Sequence, residues 1–121
     1  IRDRIFQNIS TLPPDYTEGG STAHVEVHPN GKWVYASNRG HNSMAGFTIN
    51  SDGILTSAGQ SPTEAVPSAF SLDTSGNFLF AAGSASDRLA TYKVNSDTGA
   101  LSLLETYQVG KRPMEVLAIS F

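Results

Sequence analysis

His24 and Glu26 lie two residues apart in a stretch that alternates like a β-strand, and their chemistry is that of a proton acceptor and its partner. Residues i and i+2 of a strand point to the same side of it. The imidazole could therefore accept a proton while the carboxylate orients the ring. The alternative is a polar pair that lines a wet channel and takes no part in a reaction.

More polar residues follow the next apolar stretch. Arg39 and His41 lie in the polar segment 38–43, which we expect to be a loop between two strands. An arginine can hold a phosphate or a carboxylate, and a histidine can transfer a proton. Lys111 and Arg112 form a basic pair near the end of the chain. For each of these residues the alternative is a solvated side chain on an exposed loop.

An internal repeat indicates which elements position these residues. Gly31 and Tyr35 recur 45 residues later as Gly76 and Phe80 (76 − 31 and 80 − 35). A repeat of roughly 40 to 50 residues with four short strands is typical of a β-propeller blade. The second strand of each unit is apolar without alternation, which indicates that neighbouring blades cover both of its faces.

The predicted fold is all-β, a β-propeller segment of two complete four-stranded antiparallel blades with flanking strands of two partial blades. We assign residues 1–20 to an outer strand of a preceding blade and its connection, 21–66 and 67–112 to the two complete blades, and 113–121 to the innermost strand of a closing blade. The expected strands are residues 4–10, 23–27, 33–37, 44–49, 55–60, 68–72, 78–82, 89–94, 101–108 and 114–119.

Up-and-down blades sort their turns between two ends of the disc. The turn at Asn30 and Gly31 lies at one end, where we expect His28 to be a surface residue. The other end holds the groups that could bind an anion or move a proton, namely His24, Arg39, His41, Ser68, Lys111 and Arg112. Histidines divided between two ends do not make a metal site, so we predict no metal. We also predict no cofactor.

Composition excludes several classes of function. Eight basic and eleven acidic residues give a net charge of −3 with no basic run, so we predict no nucleic-acid partner and no membrane partner. No apolar stretch approaches the roughly 20 residues of a membrane-spanning helix. The chain contains no cysteine, which excludes disulfides and thiol catalysis and fits a cytoplasmic location.

Residues 30–43, NGKWVYASNRGHNS, resemble the blade motif of the propeller-type 6-phosphogluconolactonases. Residues 60–64, 75–83 and 109–114 resemble the last blade and the C-terminus of that family. The resemblance covers nearly the whole chain and implies a seven-bladed parent protein, of which this is the C-terminal part. It also implies metal-free hydrolysis of 6-phosphogluconolactone to 6-phosphogluconate in the pentose phosphate pathway.

The resemblance also implies roles for single residues. The family typically carries an arginine at the position of Arg39, where it would hold an anionic group of the substrate. His41 or His24 would be the base, and Glu26 would be the partner of His24. The small-molecule partner implied in this way is a sugar lactone.

Two positions depart from the family pattern. Relatives usually carry an acidic residue and then a histidine where this chain has His24 and Glu26, and an arginine where it has Ser68. Lys111 and Arg112 could replace that arginine as the phosphate anchor. Two alternatives therefore stay open: a propeller segment that binds a partner without catalysis, and a carboxymuconate-cyclising relative.

Two blades do not close a propeller, which usually needs roughly four to eight. Alone, the chain would leave apolar strand faces in water, such as those of residues 33–36 and 78–81, together with an unpaired strand edge. We therefore expect the isolated chain to be inactive. We also expect it to associate with the missing blades or with copies of itself.

Overall fold

The computed structural model describes residues 7–63, 67–83 and 88–108. Its eight strands are β1 (Ser21–Val27), β2 (Trp33–Arg39), β3 (Ser43–Ile49), β4 (Leu55–Pro62), β5 (Pro67–Leu72), β6 (Phe78–Gly83), β7 (Arg88–Val94) and β8 (Leu101–Gln108). They form two four-stranded antiparallel sheets, ordered β1-β2-β3-β4 and β5-β6-β7-β8. The predicted all-β fold with two such sheets is confirmed. In the described part of the chain, no helix is long and apolar enough to cross a membrane.

Equivalent turns join the first two strands of each sheet. Gly31 has a φ of 73° and Gly76 a φ of 77°, a region that glycine enters without steric cost. The N–H of Gly31 donates to the carbonyl of His28 at 2.9 Å, and that of Gly76 donates to Asp73 at 3.0 Å. The repeat in the sequence therefore corresponds to a repeated backbone conformation.

β2 carries a separate apolar cluster on each of its faces. On its contact face, which packs against the second sheet, the cluster includes Trp33, Tyr35, Met44, Phe70 and Leu79. On the opposite face, the far face, the cluster consists of Val34, Ala36, Ala45 and Phe47, with Ile9 packed against it. Both faces of this strand are covered, as its non-alternating apolar sequence predicts. Residues 33–36 are all buried, so the expectation that they leave an apolar face in water is wrong.

Tyrosine hydroxyls bond the two sheets to each other. Tyr35 donates to the carbonyl of Gly99 at 2.5 Å, and Tyr92 donates to the carbonyl of Pro62 at 2.7 Å. Burial raises the pKa of Tyr35 to about 12, so the phenol keeps its proton and remains a donor. Apolar packing is not directional, so these two hydrogen bonds fix the position of one sheet relative to the other.

His28 also lies in this junction, so the prediction of a surface histidine is wrong. Its side chain is buried, and its ring lies edge-on to Trp33 at 4.8 Å. The N–H of Asn30 donates to Nδ1 at 3.1 Å, which leaves the proton on Nε2 to bond the carbonyl of Gly76 at 2.8 Å. The second sheet covers this residue, and no local feature of the sequence shows that contact.

β2 continues beyond its predicted end. Ser21 pairs with Arg39 and Thr22 pairs with Asn38, because β1 begins two residues earlier than the sequence pattern indicates. Arg39 is therefore the last residue of a strand, and the predicted loop 38–43 is reduced to residues 40–42.

The segment before β1 binds the first sheet through its side chains. The amide of Gln7 donates to the carbonyl of Leu55 at 2.7 Å and accepts its N–H at 2.8 Å, much as a backbone group of a neighbouring strand would. Residues 7–10 of the strand predicted over 4–10 are not in a strand. Residues 4–6 and the strand predicted over 114–119 lie outside the described residues.

Candidate functional site

His24 and Glu26 lie together on the contact face of the first sheet. Glu26 pairs with Tyr35 across the ladder, which places both side chains on that face. Nε2 of His24 is 3.1 Å from Oε2 of Glu26. Because a carboxylate only accepts hydrogen bonds, Nε2 carries the proton. When the ring is neutral, Nδ1 is the nitrogen that can accept one.

The second sheet completes the surroundings of this pair. Oε1 of Glu26 accepts the N–H of Leu72 at 3.1 Å, which satisfies a donor on the open edge of β5. The ring of Phe70 meets the ring of His24 edge-on, with 4.8 Å between centroids. The side chain of His24 remains 42% exposed and that of Glu26 30% exposed. The pair is thus built from both sheets and can still be reached by a ligand.

Arg39 lies on the same face as this pair. Tyr35, Ser37 and Arg39 alternate along β2, and Tyr35 belongs to the contact-face cluster. Nε of Arg39 is buried and has no hydrogen-bond partner within the described residues. A buried donor without a partner is costly. An anion bound here would satisfy it.

His41 is bonded to the far face. Its Nδ1 lies 2.7 Å from the hydroxyl of Ser43, and that hydroxyl accepts a hydrogen bond from the amide of Asn38 at 3.2 Å. The same amide donates to the carbonyl of Thr11 at 2.7 Å, and the ring of Tyr16 lies edge-on to His41 at 4.6 Å. The strand therefore separates His41 from the other candidate residues.

The structure describes the remaining candidate residues only in part or not at all. Lys111 and Arg112 lie outside the described residues, and of Ser68 the structure describes only the backbone, within β5. Within the three described ranges, no group of three or more histidine, cysteine, aspartate or glutamate side chains could hold a metal ion.

Phe70 and Leu72 were missed by the sequence analysis. In the repeat they occupy the positions of Val25 and Val27 (70 − 45 and 72 − 45). Val25 and Val27 pair with far-face residues of β2, so their side chains lie on the far face as well. That face of the first strand of a blade is the one turned toward the preceding blade. The same rule for the second blade would have predicted that Phe70 and Leu72 contact side chains of β1.

A cavity of about 350 Å³ lies between the sheets, and none of the candidate site residues lines it. Its walls come from β2, β3, β4, the hairpin between β7 and β8, and the start of β8. They include Tyr35, Met44 and Leu101 but no charged residue. A phosphorylated ligand needs a cation or several N–H donors. We therefore place the candidate site at the pair of His24 and Glu26, and not in this cavity.

Comparison with known proteins identifies a family that matches nearly the whole chain. The family model described as lactonase, 7-bladed beta-propeller, matches residues 4–118. The 6-phosphogluconolactonase of Yersinia pestis (strain Pestoides F) is 39% identical over 113 residues, which are 93% of this chain and 34% of that protein. The 6-phosphogluconolactonase of Sodalis glossinidius is 33% identical over 118 residues, which are 97% of this chain and 36% of that protein. The chain thus spans about a third of the length of these relatives.

Solved structures show the same architecture. A protein from Lactobacillus plantarum superimposes with a TM-score of 0.84 at 31% identity, covering 88% of this chain and 32% of that protein. The periplasmic gluconolactonase of Pseudomonas aeruginosa superimposes with a TM-score of 0.77 at 20% identity, covering 83% of this chain and 29% of that protein. At that identity the second likeness concerns the fold alone.

Proposed function

Because this chain belongs to the lactonase family of seven-bladed β-propellers, we propose that it is part of a protein that hydrolyses 6-phosphogluconolactone. The relatives named 6-phosphogluconolactonase support this substrate. One observation carries the proposal: the bonded pair of His24 and Glu26 shares a sheet face with Nε of Arg39, a buried donor that has no hydrogen-bond partner in the described part of the chain. We propose a cytoplasmic location for the reaction, which the absence of cysteine from these 121 residues fits.

His24 is the base in this proposal. Hydrolysis of a lactone requires a group that takes a proton from the attacking water, and Nδ1 of His24 is the nitrogen available for it. The water oxygen bonds to the carbonyl carbon while its proton passes to Nδ1. The ring C–O bond then breaks as the ring oxygen takes the proton back from Nδ1 of the imidazolium, which leaves a hydroxyl group and a neutral ring. The carboxylic acid formed at the same time loses its proton to water and becomes a carboxylate. Glu26 holds the tautomer and stabilises the imidazolium that forms.

Arg39 binds the phosphate of the substrate in this proposal. A guanidinium forms charge-assisted hydrogen bonds with phosphate oxygens, and Nε of Arg39 is buried without a partner within the described residues. His41, which is bonded to the far face through Ser43, is not assigned a step.

Replacing Arg39 with alanine should remove the preference for a phosphorylated substrate. We expect the ratio of kcat/KM for 6-phosphogluconolactone to kcat/KM for unphosphorylated gluconolactone to fall about ten- to a hundredfold, the range of one lost charge-assisted hydrogen bond. The measurement is steady-state kinetics of the full-length protein that contains this chain.

Lys32→Ala is the matched control for this experiment. Lys32 is an exposed cation at the turn before β2, at the opposite end of the strand from Arg39. Its removal should leave the ratio unchanged. An Arg39→Ala protein that keeps the wild-type ratio would show that the phosphate binds elsewhere. A wild-type protein that binds the lactone without hydrolysing it would favour a binding module.

We further propose that the isolated chain of 121 residues associates, with missing blades or with copies of itself. Val25 and Val27, which pair with far-face residues of β2, are 58% and 56% exposed. Burying apolar surface is favourable by about 25 cal/mol for each Å², so this exposed face favours association with a partner. Light scattering at micromolar concentration should show assemblies larger than one chain. A monodisperse monomer with a sharp cooperative melt would contradict this proposal.

A further inference from the structure

His24 lies in a β-bulge. Thr22 pairs with Asn38 and Val25 pairs with Ala36, so two residues of β1, Ala23 and His24, oppose the single residue Ser37 of β2. Such an insertion leaves an amide of the bulged strand without its ladder partner and changes the direction of the side chains. The direction of the His24 ring therefore depends on how this bulge is held.

Ser37 supplies the missing partner. Its hydroxyl oxygen accepts the backbone N–H of His24 at 3.1 Å, and its side chain is 0% exposed. Because the acceptor is on a fully buried side chain, it has little freedom to move. The backbone at His24 is thus fixed on one side by this hydrogen bond, while the ring is fixed by Glu26.

The second sheet contains the same bulge without the hydroxyl. Pro67 pairs with Gly83 and Ala69 pairs with Ala82, which leaves one extra residue in β5. In the repeat, Ala82 corresponds to Ser37 and Ala69 corresponds to His24 (82 − 45 and 69 − 45). The bulge therefore forms with alanine at this position, and the hydroxyl is present in the sheet that has a histidine at the bulge.

We infer that Ser37 is a positioning residue for the proposed lactone hydrolysis, which acts by holding the backbone of His24 so that Nδ1 faces the substrate. This inference rests on the proposed role of His24 as the base. Ser37 touches neither the substrate nor the reacting atoms. Its effect passes through the bulge, which holds the His24 ring where Glu26 can keep the proton on Nε2.

Ser37→Ala in the full-length protein tests this inference, because Ala82 shows that alanine is compatible with the bulge. We expect kcat for 6-phosphogluconolactone to fall about tenfold or more with KM nearly unchanged, since a displacement of about 1 Å in a catalytic group can cost a hundredfold. In ¹⁵N spectra of the histidine rings, the His24 signals should change from one tautomer to a mixture. The His24→Gln protein assigns those signals.

Ser43→Ala is the matched control for the spectra. Ser43 is a serine of β3 whose side chain is also buried, and it is bonded on the far face. Its removal should leave the His24 ring signals as they are in the wild type. Unchanged His24 signals in Ser37→Ala would overturn the inference, as would equal changes in both variants. If the wild-type protein hydrolyses no lactone, the proposed function fails, and the His24 signals still decide whether Ser37 positions the ring.

Discussion

Replacing His24 with glutamine is expected to lower kcat for 6-phosphogluconolactone by about 10²- to 10⁴-fold, the usual contribution of a general base. Glutamine keeps an N–H donor that can reach Glu26, but it has no nitrogen that accepts a proton at neutral pH. KM should change little, because the phosphate is held by Arg39 in this proposal. Steady-state kinetics of the full-length protein, with the fold checked by circular dichroism, is the measurement.

His41→Gln is the comparison that distinguishes the two candidate bases. His41 is bonded to Ser43 on the far face, so its replacement should change kcat by less than about fivefold, well below the effect of losing a general base. A large loss in His41→Gln together with a small loss in His24→Gln would place the base on the loop 40–42. The proposed mechanism would then be wrong.

Replacing Gly76 with alanine should destabilise the protein by about 3 kcal/mol, through left-handed backbone strain and overpacking together. A Cβ at this position would lie 2.5 Å from Cε1 and 2.6 Å from Nε2 of His28, at a backbone φ of +77°. The buried ring of His28 would have to move, and its hydrogen bond to the carbonyl of Gly76 would be lost. Urea denaturation of the full-length protein measures the free energy of unfolding.

Gly31→Ala is the control that measures the cost of left-handed backbone strain without a contact between the sheets. Gly31 occupies the equivalent turn with a φ of +73°, and a Cβ there would meet nothing within 4 Å. Only the strain of a left-handed residue remains, which costs about 1 kcal/mol. Equal losses in the two variants would show that His28 does not hold the sheets together.

Regular features of the chain could be predicted because they depend on residues close in sequence. The repeat at an interval of 45, the turns at Gly31 and Gly76 and the apolar strands predict two four-stranded sheets, and the structure contains them. The i and i+2 spacing of His24 and Glu26 puts the two side chains on one side of a strand, and they are indeed in contact. Each of these features follows from the periodicity of the strand backbone.

The tertiary structure alone decides which residues meet across the sheets. His28 bonds to Gly76 and Glu26 bonds to Leu72, partners that are 48 and 46 residues apart. Whether Arg39 lies on a strand or a loop depends on how far β1 continues beside it, and the bulge at His24 shifts that pairing. One face of β2 therefore holds Arg39 while His41 is bonded to the other. Local periodicity carries no information on these contacts, because they arise only when two sheets pack face to face.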